Sequence, residues 1–249
     1  MSNNSDNSKI VNTNNGTTIQ IGKKPTVVSA NTTVQTTGRT VDIAFIVDTT
    51  GSMNDKIEAL ISTCVQFLDE PKKLGLEPAF GLVAFGDISG VGVGDTIEVV
   101  VPITQDLARM KYGLQHIPRN SGFGNNGESS SEAIVEALSL NYRSKAVKVM
   151  VLITDEPALQ NLYKVANVIN QLTQQEFLVF VLSPNINYFK LMAKQNGGEW
   201  QEISPTSNLD MLLEMFKRLA QRISEVSKSV HVLGQGSVSA YLQLTAPKK

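Results

Sequence analysis

Apolar positions in this chain follow two rhythms that alternate from residue 41 onward. Ile43, Ala44, Phe45, Ile46 and Val47 form an unbroken run that stops at Asp48. A run without alternation predicts a strand, here about 41–47, buried on both faces of a parallel sheet covered by helices. Beyond it, Met53, Ile57, Leu60, Ile61, Cys64, Phe67 and Leu68 recur at helical spacing, which predicts a helix over about 52–70. Gly75 and Pro78 mark the turn into a second strand, Ala79–Phe85, and TIEVVVPIT at 96–104 predicts an edge strand folding back antiparallel. Leu107, Met110, Leu114 and Ile117 give a short amphipathic helix, and a polar loop then runs into another helix near Glu132. Strands at about 147–154, 177–182 and 200–203 alternate with helices at about 158–173, 188–195 and 209–226. This order predicts a three-layer, doubly wound α/β fold, with a mainly parallel six-stranded sheet and one antiparallel edge strand.

The flanks obey neither rhythm. Residues 1–16 are rich in Asn and Ser and are expected to be disordered, because they bury too little apolar surface to offset ordering. Residues 17–39 carry the β-prone pieces TTIQI, PTVVS and TTVQT, and 227–249 carry SVHVLG and SVSAYLQLT. The two flanks are expected to pair into a small accessory sheet around the domain at 40–226; independent tails are the alternative.

Candidate chemistry sits where apolar strands end in aspartate. Asp48, Thr50 and Ser52 place one carboxylate and two hydroxyls at alternate positions of a tight turn. Hard oxygens in that arrangement suit Mg²⁺ or a similar divalent ion, and Ser52 with Asp55 equally suits a helix N-cap. Asp87 and Asp155 end two further strands and would gather on the same rim, since parallel strands share a direction. Asp155 before Pro157 also reads as an N-cap. Asp87 either orients its loop or a partner, or is simply exposed. An Asp-Thr-Gly-Ser run like that of aspartic proteases is excluded by the second Thr and the long helix that follows.

Composition narrows the classes. A formal net charge of -1 gives no electrostatic case for nucleic acid or acidic lipid. No apolar stretch is long enough to span a bilayer, and the first residues lack the apolar core of a signal peptide. The single Cys64 excludes an internal disulfide and reads as a small core residue. Together these predict a soluble, cytoplasmic protein. Two histidines, His116 and His231, stand far from Asp48, and neither a phosphate-binding glycine loop nor a nucleophile–histidine arrangement is visible.

Asp48-Thr49-Thr50-Gly51-Ser52 resembles the Asp-x-Ser/Thr-x-Ser signature of von Willebrand factor type A (vWA) domains. The resemblance runs from about residue 40 to 226 and includes AFGLVAF, VKVMVLITDE, FLVFVLSP, LMAKQNGGEWQEIS and LDMLLEMFKRLAQRI. It implies a Rossmann-like fold and a metal-ion-dependent adhesion site, in which Mg²⁺ or Mn²⁺ keeps one position open for a partner's carboxylate. By the same resemblance Asp155 belongs to the third metal loop. Ser129 takes the place of the usual second-loop Thr, with Glu128 and Ser130 as neighbours. Ser129 followed by Glu132 also forms a capping box, so ligand and cap stand side by side. The implied metal set is Asp48, Thr50, Ser52, Ser129 and Asp155. The implied function is a non-enzymatic protein–protein interaction module that grips an Asp or Glu of its partner. Its setting would be an intracellular multiprotein assembly of AAA+ ATPase-linked, stress or defence type. The alternatives are a scaffold with a vestigial metal site and a Mg²⁺-dependent phosphohydrolase.

Overall fold

The computed structural model describes residues 10–13, 16–21, 24–28, 39–89, 94–122, 127–204 and 207–246. The chain divides into two units, Met1–Thr37 and Gly38–Lys249. In the first, β1 (Ile10–Thr13), β2 (Gly16–Ile21) and β3 (Lys24–Val28) form an antiparallel sheet in the order β1-β2-β3. The strand at 10–13 corrects the expected disorder of that stretch. Ile10, Val11 and Thr13 are β-branched residues at the edge of the Asn-rich tract, where an averaged composition hides them. The expectations for 1–9 and for TTVQT at 32–36 lie outside the described residues.

The second unit is built on β4 (Arg39–Asp48), buried from Val41 onward. A single 3-10 turn (Gly51–Met53) leads into α1 (Asn54–Lys73), followed by β5 (Leu76–Phe85), β6 (Ile97–Thr104) and α2 (Leu107–Gln115). Next come α3 (Ser130–Leu138), β7 (Val147–Ile153), α4 (Val165–Gln174), β8 (Phe177–Ser183) and α5 (Asn187–Gln195). Then β9 (Trp200–Glu202), α6 (Leu209–Leu233) and α7 (Val238–Thr245) complete the unit. The sheet order is β6-β5-β4-β7-β8-β9, with only β6 antiparallel to its neighbour, as the apolar pattern predicts.

Strand alternation builds the two cores. Phe45 and Val47 pack with Ile57, Leu60 and Phe67 of α1 and with Phe216 and Leu219 of α6 on one face. Ile46 packs on the other with Ile134 of α3, Val168 of α4 and Phe189 of α5. The chain leaves β4 for β5 on one side and returns to β7 on the other, so the topology switches at the carboxyl ends of β4 and β7. That crevice is where open α/β sheets bind ligands.

Two expectations fail for physical reasons. The described carboxyl-terminal flank is helical and contributes no strand: α6 continues to Leu233 and Val238–Thr245 forms α7. Val226 and Val230 extend the buried stripe of α6 at helical spacing, and burial overrides their β preference. Ser237 then caps α7, its Oγ accepting from the Ala240 backbone N–H at 3.2 Å. The helix expected over 158–173 starts only at Val165. Ahead of it, Ala158 bridges in parallel to Glu128, Leu159 N–H donates to Glu128 O at 3.0 Å, and Gln160 has φ +58° (Pro157 begins a strand-like crossing rather than a helix).

Gly198 shows how tightly the β8 edge is packed. A Cβ there would stand 2.0 Å from Val179 O and 2.6 Å from Val179 C. Gly198→Ala is therefore expected to cost roughly 1–3 kcal/mol, readable as a lowered urea midpoint.

Candidate functional site

Register brings the strand ends together. Asp48 pairs with Phe85 and Val47 with Ile153, so the residues after each strand emerge on one rim. Asp48 is fully buried. Its Oδ1 accepts from Thr50 N–H at 3.0 Å and from Thr50 Oγ1 at 2.7 Å, and its Oδ2 accepts from Thr154 Oγ1 at 2.8 Å. Burial pushes its carboxyl up to about 6 against those hydrogen bonds, with the neighbouring Asp155 charge adding to the rise.

Ser52 lies 3.4 Å from Thr50 Oγ1 and donates to Asp155 Oδ1 at 2.9 Å. Neither Ser52 nor Asp155 caps a helix: the 3-10 turn and α1 make no side-chain cap bond, and the helix beyond Asp155 begins at Val165. Four of the expected metal residues, Asp48, Thr50, Ser52 and Asp155, thus form one hydrogen-bonded chain. Lys56, in the first turn of α1, closes it. Its Nζ donates to Ser52 O at 2.8 Å and to Asp155 Oδ2 at 3.2 Å.

Ser129 does not take the capping role expected of it. It stands at the N-cap of α3 but makes no cap bond; its Oγ accepts from Ile88 N–H at 3.1 Å. Glu132 is diverted from a capping box as well, since its Oε1 accepts from Leu162 N–H and Tyr163 N–H at 2.9 and 3.2 Å. Glu128 and Thr50 both border the space beside Gly122. A Cβ on Gly122 would lie 3.3 Å from Glu128 Oε1 and 3.4 Å from Thr50 Cγ2. Burial, then the charges of Asp48, Asp87, Asp95 and Glu156, push the Glu128 carboxyl up to about 8. Its Oε2 is buried and has no hydrogen-bond partner among the described residues. The side chain of Ser130 is likewise buried without a partner among the described residues.

Asp87 is buried rather than exposed, and orients its loop: its Oδ1 accepts from Ser89 N–H at 2.7 Å. Asp95 and Asn120 were not foreseen. Asp95 accepts from Ser121 N–H, Ser121 Oγ and Gly122 N–H, each at 2.9 Å, and from Asp87 N–H at 3.3 Å. Burial would raise its carboxyl, but those bonds together hold it below the usual carboxylate range. Asn120 donates through Nδ2 to Thr49 Oγ1 at 2.9 Å and accepts from Thr96 N–H at 3.1 Å. Gly86 makes room for it, since a Cβ there would stand 2.5 Å from Asn120 Cβ.

The donors are hard oxygens with too little positive charge among them, which fits a divalent ion of the Mg²⁺ class. Among the described residues no three carboxylate, imidazole or thiol groups make a ligand set alone. An ion here would draw on the hydroxyls of Thr50 and Ser52.

Solved structures share the fold. The chain is similar to the BatB protein of Bacteroides thetaiotaomicron, at 18% identity, TM-score 0.53, with 76% of this chain and 100% of that one covered. It is similar to the SpRpn10 VWA domain at 14% identity and TM-score 0.57, covering 73% and 97%. A von Willebrand factor type A protein from Catenulispora acidiphila matches at 16% identity and TM-score 0.53, over 86% of this chain and 45% of that one. No curated protein sequence matches it. The family model described as integrin beta-like protein A-E, vWA-like, matches residues 10–244, and to that vWA-like family the chain belongs.

Proposed function

We propose that the rim binds Mg²⁺ or Mn²⁺ through Asp48, Thr50, Ser52 and Asp155, and through the ion an Asp or Glu of a partner protein. Domains of vWA type typically mediate protein–protein interactions. The observation that carries the finer reading is the hydrogen-bonded run from Asp48 to Asp155 beside Glu128, whose buried Oε2 is unpartnered among the described residues. From the second loop, Ser129 is the ligand that the resemblance implies, and Glu128, whose Oε2 is unpartnered among the described residues, is the competing donor. The bound ion would supply Lewis acidity and an attachment point for an acidic ligand, while the chain's own hydroxyls and carboxylates orient it. Next to Ser129 lies a cleft of about 490 Å³ lined by Ile88, Ser129, Glu132, Leu159 and Leu162. Ile88 and Leu162 are exposed there and offer apolar contact to the residues flanking the partner's acid.

The reading is non-enzymatic. His116 Nδ1 is 2.9 Å from Tyr112 O on α2, and His231 Nε2 is 2.8 Å from Thr40 O at the far end of β4. Neither supplies a base at the rim.

Asp48→Ala should abolish Mn²⁺ binding and leave a folded domain, because the apolar part of β4 is untouched. Calorimetric titration with Mn²⁺ and far-ultraviolet circular dichroism check both halves. Equal Mn²⁺ affinity in mutant and wild type would remove Asp48 from the site, and Mg²⁺-dependent turnover of a generic phosphoester would replace the adhesive reading with the hydrolytic one.

A further inference from the structure

We propose that Lys56 is a tethered counter-cation that holds the metal-free rim together and sets how tightly it takes a divalent ion. The inference rests on the metal reading above and concerns a residue outside the ligand set. Lysine is rarely this buried unless it is paired; the Lys56 side chain is 9% exposed and that of Asp155 7%. The four-residue spacing from the 3-10 turn into α1 lets the ammonium reach back to Ser52 O and across to Asp155 Oδ2. Both oxygens of Asp155 are then engaged, Oδ1 by Ser52 and Oδ2 by Lys56. The loop after β4 is thereby tied to the loop after β7 without any ion.

Two consequences follow from charge. Asp48, Glu128 and Asp155 bring three carboxyl groups to this end of the sheet, and Lys56 gives the last of them a cation of its own. A divalent ion approaching Ser52 and Asp155 meets that ammonium at a few ångströms, in a setting where screening is weak. Loading therefore either displaces Lys56 or tolerates a like charge, and both raise the ion concentration required. A partner's carboxylate arriving with the ion restores the balance, so ion and partner should load together rather than in independent steps.

Lys56→Met keeps the buried alkyl stem and removes the charge. In the full chain it is expected to bind Mn²⁺ at least tenfold more tightly than wild type by calorimetry, and to melt at a lower temperature in EDTA. Lys56→Arg, which keeps the charge, should stay near wild-type affinity. If the Met variant fails to fold, Lys56→Gln keeps a donor for Asp155 without charge and should show the same tightening. Measurable but equal, or weaker, Mn²⁺ binding in the neutral variants overturns the role of Lys56 and leaves the metal site standing. No Mn²⁺ binding by wild type or by any variant up to millimolar concentration overturns both. Binding seen only in the neutral variants supports both.

Discussion

Arg143→Ala is expected to cost about 3–5 kcal/mol of folding stability, the usual range for stripping one partner from a buried ion pair. Asp42 lies inside β4 and is fully buried. Arg143 answers it twice: backbone N–H to Oδ2 and Nε to Oδ1, each at 2.6 Å. The same guanidinium donates to Val41 O at 3.0 Å and Glu77 O at 2.8 Å, clamping β4 to β5. Removing the side chain leaves a carboxylate in the sheet with only a backbone donor, and frees two carbonyls. Lysine cannot reproduce the planar fork, so Arg143→Lys should recover less than half of the loss. Asp42→Asn in the Arg143→Ala background should recover part of it by removing the orphaned charge. Urea melts at pH 7 decide the matter, and a loss below 1 kcal/mol would mean that Asp42 finds water.

Without a divalent ion, the protein should lose stability as pH rises from about 4 to 8. Asp48 and Glu128 ordinarily release their protons near 3.8 and 4.5, but in the fold they hold them to about 6 and about 8. Folded protein thus binds more protons than unfolded chain across this window. The stabilisation is complete below the unfolded values and drains away as pH passes the folded ones. For Asp48 alone the rise to about 6 corresponds to about 3 kcal/mol. Asp95 works in the opposite sense, since its lowered carboxyl supports the fold above its ordinary value and is lost only in stronger acid. Maximum stability in EDTA should therefore fall near pH 4. Mn²⁺ at pH 8 should reverse the trend, because the ion takes the place of the protons. Thermal melts at pH 5, 6.5 and 8 with and without Mn²⁺ test this. A flat EDTA series would mean that these carboxylates are well hydrated.

What the sequence makes legible is whatever repeats. The run from Ile43 to Val47 and the stripe from Met53 to Phe67 carry their environment in their spacing, and the break at Asp48 marks the rim. Asp155 is legible for the same reason, as a polar stop after Val147–Ile153. Contacts between distant side chains have no period. Lys56 meets Asp155 from 99 residues away, and Arg143 meets Asp42 from 101. In the sequence Asp42 is only a polar interruption in a strand. Ser129 and Glu132 match a capping box, yet Ile88 and Leu162 bring competing N–H groups that the local pattern does not contain. The tail fails differently: Val230 and Val238 look like strand residues until α6 and β4 supply a core for them.

The alignment of β4 with its neighbours bears on how the domain would carry tension. Force applied between the Asp48 end and the point where the chain enters β4 at Arg39 acts along the strand's own axis and is carried by the covalent backbone of that one strand. The ten positions paired with β5, from Arg39↔Leu76 to Asp48↔Phe85, and the seven paired with β7 hold the strand in place without being sheared. An extended strand has little further length to give, whereas a hairpin pulled across its axis unzips one rung at a time. Load entering at Arg39 and leaving at the rim would thus pass through the domain without the unfolding step that limits other pulling geometries.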